Sequence, residues 1–143
     1  MFADVPYPGD DHIAARKKGW LYPELIADFK GKHWRDVPTS TVRSHFDELS
    51  LFSEAGTQYY LPAYLLGALV DQEIQFFLLS NLTIDTPEED KGEFRDFFLR
   101  KFSKLTQPQK GAVKAFLEYL RDESPDGLAR TRAATALERY WAL

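Results

Sequence analysis

Apolar side chains recur at helical spacing along most of the chain, and no segment alternates strictly between apolar and polar residues. Spacings of three and four residues place side chains on one helix face, whereas strict alternation is typical of a strand. Two clear stripes are Val113, Phe116, Leu117 and Leu120, and then Ala133, Leu137, Tyr140 and Trp141. The pattern predicts an all-α fold, a helical bundle of about six helices. Since neither a repeat nor a linker interrupts it, we predict a single helical domain over residues 1–143.

Capping and terminating residues predict where the helices of the first half begin and end. We expect a short helix from Asp10 or Asp11 to about Gly19, because acids cap helices and glycine terminates them. Pro23 suits the first turn of a second helix that stops at Gly31. Thr39 or Ser40 is expected to cap a third helix, whose apolar face carries Val42, Phe46, Leu49 and Phe52.

The stretch GTQYYLPAYLLGALVD, residues 56 to 71, is almost entirely apolar after Pro62. Proline lacks an N–H and disfavours helix in the preceding residue. We therefore expect a central apolar helix starting near Pro62, or one that starts at Ser53 and kinks at Pro62. We expect it to bury Leu65 and to continue to about Asn81.

Three start signals divide the second half. Thr86-Pro87-Glu88-Glu89 combines a cap, a first-turn proline and a glutamate that reaches back to the cap. Phe94, Phe97, Phe98 and Phe102 follow it at helical spacing. Thr106 and Gln109 have the spacing of a capping box, and Ser124-Pro125 is expected to open the last helix.

Composition excludes several classes of protein. The chain has no cysteine, which excludes disulfide scaffolds, thiol catalysis and cysteine-based zinc sites. Its net charge of −4 is evenly spread, which argues against nucleic-acid binding. We see no signal peptide, and the longest apolar run is about half a membrane span. We therefore expect a cytoplasmic protein that binds neither nucleic acid nor membrane.

Few residues form a pattern associated with catalysis or metal binding. His12, His33 and His45 match no histidine motif, and the pair His45 and Glu48 supplies too few ligands for a tight metal site. The usual interpretation is a surface His–Glu pair. No serine-nucleophile motif or phosphate-binding glycine loop occurs. We predict no catalytic residue, no metal and no cofactor.

Two aromatic segments remain as candidates for a binding surface. In GKHWRDVP, residues 31 to 38, Trp34 either fixes the loop to the core or contacts a partner. Tyr60 and Tyr64 are either core tyrosines bonded to loop carbonyls or the phenolic rim of an interface.

The blocks YYLPAYLLGAL, LTQPQKGAVKAFLEYL, ALERYW and GKHWRDV resemble an uncharacterised family of small bacterial proteins, a domain of unknown function. The resemblance extends from about Pro8 to Trp141, and Tyr-Tyr-Leu-Pro-Ala-Tyr is its most specific part. It implies a standalone helical protein of bacterial cytoplasm and assigns no site residue.

The leading hypothesis is a non-catalytic protein-interaction module, in the manner of an immunity or adaptor protein. Its partner-binding residues would be Trp34, Tyr60, Tyr64 and the acidic residues Glu88, Glu89 and Asp90, with Trp20 and Tyr22 as further aromatic contacts. The alternative is a small enzyme or ligand binder whose cleft is lined by Tyr59, Tyr60 and Tyr64, with His33 or His45 as a base. A third hypothesis is an oligomeric structural protein with a large apolar self-interface.

Overall fold

The computed structural model describes residues 5–10, 12–14, 23–84 and 92–142, with the backbone alone for residues 92–94. These residues form seven α-helices, α1 Pro23–Phe29, α2 Thr39–Ser44, α3 Glu54–Ala68, α4 Gln72–Leu82, α5 Gly92–Phe102, α6 Gln107–Glu123 and α7 Gly127–Ala136. Shorter elements are two 3₁₀ helices, Trp34–Asp36 and Leu49–Leu51, and a π-helical turn, Leu137–Trp141. The described residues contain one isolated bridge, between Ala14 and Phe52, and no strand. The predicted all-α class is confirmed.

Residues 2–78 and residues 79–143 form two compact units, called here the N-terminal and the C-terminal unit. The predicted first helix after Asp10 lies mostly outside the described residues, and its described part, residues 12–14, is not helical. The single domain over residues 1–143 stays a prediction.

The N-terminal unit is built around α3, which buries ten of its fifteen residues. Pro23 begins α1 as predicted, and Gly31 follows the helix with a φ of 72°, a backbone angle that favours glycine. The rings of Phe52 and Tyr60 lie against Phe29 of α1, with centroid separations of 5.0 and 4.9 Å. Aromatic edge-to-face packing therefore joins α1 and α3.

Of the two predicted starts of the central helix, the structure has the earlier one, since α3 begins at Glu54 after the cap Ser53 and not near Pro62. The Ser53 hydroxyl accepts a hydrogen bond from the Gly56 N–H at 2.8 Å and caps the helix. Pro62 then lies in the helix interior with its neighbours Leu61 and Ala63 buried. Tertiary packing of these side chains outweighs the missing proline N–H.

The helix α3 also ends earlier than predicted, at Ala68, and α4 is a separate helix. The Asp71 carboxylate accepts hydrogen bonds from the N–H groups of Glu73 and Ile74, at 3.0 and 3.1 Å. This cap explains why the chain restarts a helix after a three-residue turn at residues 69–71.

The helix predicted around Val42 is much shorter than expected. Its N-cap is Pro38, without a side-chain hydrogen bond, and not Thr39 or Ser40. The chain leaves the helix at His45 and forms the Leu49–Leu51 3₁₀ helix before α3. Val42, Leu49 and Phe52 are nevertheless buried and Phe46 is half-buried, so three of the four predicted apolar positions belong to the core although they do not share one helix.

The C-terminal unit follows the predicted capping more closely. The capping box of α6 is present, with the Thr106 N–H bonded to the Gln109 side chain at 2.8 Å. The helix α7 is capped by Asp126 and not opened by Ser124-Pro125, because the Asp126 carboxylate accepts the Leu128 N–H at 2.9 Å. In the Leu137–Trp141 turn the Trp141 indole N–H donates to the Leu82 carbonyl at 2.9 Å. The start signal at residues 86–89 lies outside the described residues.

Leu65 is only half-buried, although the apolar run predicts a fully buried side chain. We therefore expect Leu65→Ala to lower the free energy of unfolding by about 1–2 kcal/mol, less than is typical of a core leucine. Urea denaturation of the variant tests this, with its exposed neighbour Leu66→Ala as the control, expected within about 0.5 kcal/mol of the parent. A loss of about 4 kcal/mol at Leu65 would contradict the described packing.

Candidate functional site

Tyr60 and Tyr64, both candidates for partner contact, have 0% of their surface exposed. The Tyr60 hydroxyl oxygen lies 2.7 Å from the carbonyl oxygens of both Phe29 and Lys32, which share its single O–H donor. The Tyr64 hydroxyl donates to the His45 carbonyl at 2.8 Å. In the described structure, then, neither ring forms part of the surface that a partner would touch.

Burial also determines the acidity of these phenols. Desolvation, first among the causes, raises the pKa of both Tyr60 and Tyr64 far above the ordinary tyrosine value. Burial raises the pKa of Tyr59 as well, although a hydrogen bond from the Trp34 backbone opposes the rise. A phenol that stays protonated at neutral pH is a poor general base. Tyr60 and Tyr64 therefore have the chemistry of structural donors, whereas the Tyr59 hydroxyl accepts a hydrogen bond from the Trp34 backbone.

Trp34 is half-buried in the 3₁₀ helix beside α3. Its ring lies 5.2 Å from the His33 ring, and His33 contacts Tyr59 at 5.8 Å. The Arg35 guanidinium lies over the Trp34 ring, 5.1 Å from its centroid. The buried Trp34 Nε1 has no hydrogen-bond partner among the described groups. The loop is thus fixed to the core by aromatic packing, while Arg35 remains exposed.

His45 forms a cluster that the sequence revealed only in part. Its Nε2 lies 2.6 Å from the Asp28 carboxylate, and its Nδ1 is hydrogen-bonded to Glu48. The sequence predicted the contact with Glu48, but the pair lies in the turn after α2 and the His45 side chain is buried. Asp28 is 17 residues away and carries no local signal of this contact.

The pKa of His45 is raised above its ordinary value. Burial, the largest influence, disfavours the charged ring, but hydrogen bonds to Asp28 and Glu48 and their negative charges outweigh it. The carboxylates lie on opposite ring nitrogens and do not converge on one point. Accordingly, no group of ligands within the described ranges has the arrangement to hold a metal ion.

A shallow depression of about 210 Å³ lies between α1 and the Leu49–Leu51 helix. Its walls are formed by Pro23, Glu24, Leu25, Glu48 and Leu51. Pockets for drug-sized ligands usually exceed roughly 300 Å³. Tyr59, Tyr60 and Tyr64 do not line it, so the predicted tyrosine cleft gains no support from this feature.

An exposed apolar surface at the C-terminal end of α3 was not among the predicted site residues. Leu66, Leu69 and Val70, called here the α3 tip, have 55%, 53% and 75% of their surface exposed. They lie within five residues of one another, where α3 ends and the chain turns. These residues belong to the apolar run of residues 61–70, whose composition alone predicts a helix buried on all sides. Asp71 follows directly and pairs with Arg43 at 3.5 Å, as does Glu73 at 3.0 Å.

The remaining predicted site residues lie outside the described residues. These are the acidic residues Glu88, Glu89 and Asp90 and the aromatic residues Trp20 and Tyr22. None of the helices in the described part combines the length and the apolarity that crossing a membrane requires.

The fold and these contacts define an all-α protein whose buried tyrosine hydroxyls bind its own backbone. The model of a family of unknown function, DUF6714, matches residues 23–143, and the chain belongs to that family. A search of curated proteins and a search of solved structures each gave no match. The predicted resemblance to a domain of unknown function is confirmed, while the bacterial origin and the tyrosine motif stay predictions.

Proposed function

We propose that this protein is a non-catalytic protein-interaction module that binds and regulates a protein partner, as an immunity or adaptor protein does. The observation that carries the proposal is the α3 tip. Three neighbouring aliphatic side chains there are more than half exposed. Single exposed apolar residues are common, but contiguous apolar patches typically mark interaction surfaces.

The residues beside the α3 tip give it the composition of an interface. Interfaces commonly combine an apolar centre with a polar rim. Asp71 continues the chain directly from Val70, and Arg43 pairs with both Asp71 and Glu73. Because these charges already form ion pairs, the surface favours a partner whose matching face is mainly apolar.

Trp34 is the second contact that we propose in the N-terminal unit. It lies near Tyr59, whose hydroxyl is hydrogen-bonded to the Trp34 backbone. Tyr59 is nine residues before Ala68, the last residue of α3, which at about 1.5 Å per residue is roughly 13 Å along the helix. Tryptophan and arginine are both enriched among residues that dominate binding energy, and Arg35 lies over the Trp34 ring.

The test uses the full chain as bait for partner capture, followed by calorimetry with the purified partner. The α3-tip variant carries Leu69→Glu and Val70→Glu, and its matched control is Leu128→Glu, an apolar residue that is 52% exposed in α7. We expect the tip variant to weaken binding at least tenfold, roughly 1.4 kcal/mol, because its charges would be desolvated against an apolar face. The control should bind like the parent.

Two outcomes would overturn the proposal. One is equal binding by the tip variant and the parent. The other is self-association of the parent chain in sedimentation that the tip variant abolishes. The α3 tip would then serve oligomerisation and not the binding of a different protein.

The acidic residues Glu88, Glu89 and Asp90 are proposed to steer a basic partner, on the basis of the sequence. Replacing them with Gln, Gln and Asn tests this separately. Steering by surface charge weakens at higher salt, whereas contact through the α3 tip does not. We expect the triple variant to slow association at low salt and to match the parent at moderate salt.

A further inference from the structure

The geometry around His45 suits two N–H donors on one imidazole ring. Carboxylates of Asp28 and Glu48 lie at Nε2 and Nδ1, and an ionised carboxylate only accepts hydrogen bonds. A neutral imidazole has one N–H, so it can satisfy only one of them. The observed arrangement therefore fits the doubly protonated ring.

His45 joins parts of the chain that are distant in sequence. Asp28 belongs to α1, whereas Glu48 directly precedes the Leu49–Leu51 helix. The His45 carbonyl accepts a hydrogen bond from the Tyr64 hydroxyl of α3, and the Phe29 ring lies 5.7 Å from the imidazole. The ring thus lies where α1, α3 and the turn after α2 meet.

The groups that face His45 from each element are few. Asp28 faces it from α1, Glu48 from its own turn, and Tyr64 from α3 through the carbonyl. Arg43, the nearest basic residue along α2, is engaged with Asp71 and Glu73. Within the described residues, the imidazolium is the cation that balances these two carboxylates.

We propose that His45 is a protonation-controlled latch that fastens α1 to the turn before the Leu49–Leu51 helix. When the ring loses a proton, one of the two carboxylates loses its donor and faces a lone pair instead. The connection between α1 and the turn is then weakened. Because Pro23, Glu24 and Leu25 of α1 form one wall of the depression and Glu48 and Leu51 the other, release loosens the depression as well.

The direction of the pH response follows from linkage. The pKa of His45 in the folded chain is raised above its ordinary value, so the folded state binds the proton more tightly. The stabilisation is fully present below the unfolded pKa and is lost as the pH rises through the folded pKa. As the pH rises through this range, the equilibrium constant for opening of α1 increases. The increase is about tenfold for each unit by which the pKa of His45 differs between the closed and open states.

Two measurements on the full chain test the latch together. NMR titration follows the ring carbons of the three histidines, with His45 assigned from the signal that His45→Gln removes. Hydrogen exchange, corrected for its intrinsic pH dependence, follows the amides of α1, with those of α6 as the internal control. We expect α1 protection to fall over the pH range in which His45 titrates, while α6 shows no such step.

The variants distinguish a latch from a purely structural histidine. His45→Gln should remove the pH step in α1. Asp28→Asn should move both the His45 midpoint and the α1 step to lower pH, because one stabilising carboxylate is lost. Asp28 is half-exposed, so this variant remains informative if His45→Gln does not fold.

Three results would overturn the latch. The first is α1 protection that stays constant while His45 titrates. The second is a step that persists in His45→Gln. The third is a His45 ring that does not titrate over the pH range in which α1 protection falls. The proton that controls α1 would then belong to another group.

Discussion

Replacing Tyr60 with alanine is expected to lower the free energy of unfolding by about 4 kcal/mol. The ring is fully buried against Phe29, Phe52 and Tyr59, so its removal leaves a large cavity. Its hydroxyl also serves the carbonyls of Phe29 and Lys32, where the chain leaves α1. Urea denaturation followed by circular dichroism measures the loss.

The variant Tyr60→Phe separates the two contributions. It keeps the ring and removes the hydroxyl, so it should cost about 1–2 kcal/mol through the two carbonyls left without this donor. Tyr119→Ala is the control, because Tyr119 is an exposed tyrosine of α6, and it should change stability by less than about 0.5 kcal/mol. Unchanged stability of Tyr60→Ala together with weaker partner binding would instead favour the other interpretation of the sequence, in which Tyr60 belongs to the rim of an interface.

Replacing Gly56 with alanine is expected to destabilise the chain by about 3 kcal/mol. A Cβ atom on Gly56 would lie 2.2 Å from the Ile13 carbonyl oxygen, far inside van der Waals contact. That carbonyl accepts the Ser53 N–H at 2.9 Å, and the Ile13 side chain is completely buried. The methyl group can be accommodated only if the segment around Ile13 moves and these contacts are lost.

Gly111 provides a control, because replacing it with alanine should change the free energy of unfolding in the opposite direction. It lies within α6, and a Cβ atom there meets nothing within 4 Å. Because alanine is the better helix former, Gly111→Ala should stabilise the chain by about 0.5–1 kcal/mol. Thermal denaturation of both variants gives the comparison. If Gly56→Ala were stabilising like Gly111→Ala, the close approach of Ile13 to α3 would not exist in solution.

Local chemistry explains the elements that the sequence predicted well. The α6 capping box depends on two residues three positions apart, Thr106 and Gln109, and both of its hydrogen bonds form. The stripe Val113, Phe116, Leu117 and Leu120 is buried, because helical spacing alone places these residues on one face. The stop at Gly31 likewise needs only a residue that tolerates positive φ.

The structure differs from the sequence-based predictions where packing between distant parts of the chain overrides a local rule. Pro62 predicts a helix start, but burial of the residues on both sides keeps it inside α3. The apolar run from Leu61 to Val70 predicts uniform burial, yet it ends in the exposed α3 tip because the chain turns there. Asp71, which caps α4 at that turn, is a residue type that favours a helix start and so marks this position in the sequence.

The sequence by itself determined the all-α class, the stop of α1 and the capping box of α6, because each depends on side chains a few residues apart. Only the tertiary structure decided that Tyr60 and Tyr64 are internal, that Asp28 completes the His45 cluster and that the α3 tip is exposed. These features join residues 17 to 31 positions apart or depend on which side of a helix the rest of the chain covers. Periodicity records the face of one helix, and it does not record what packs against that face.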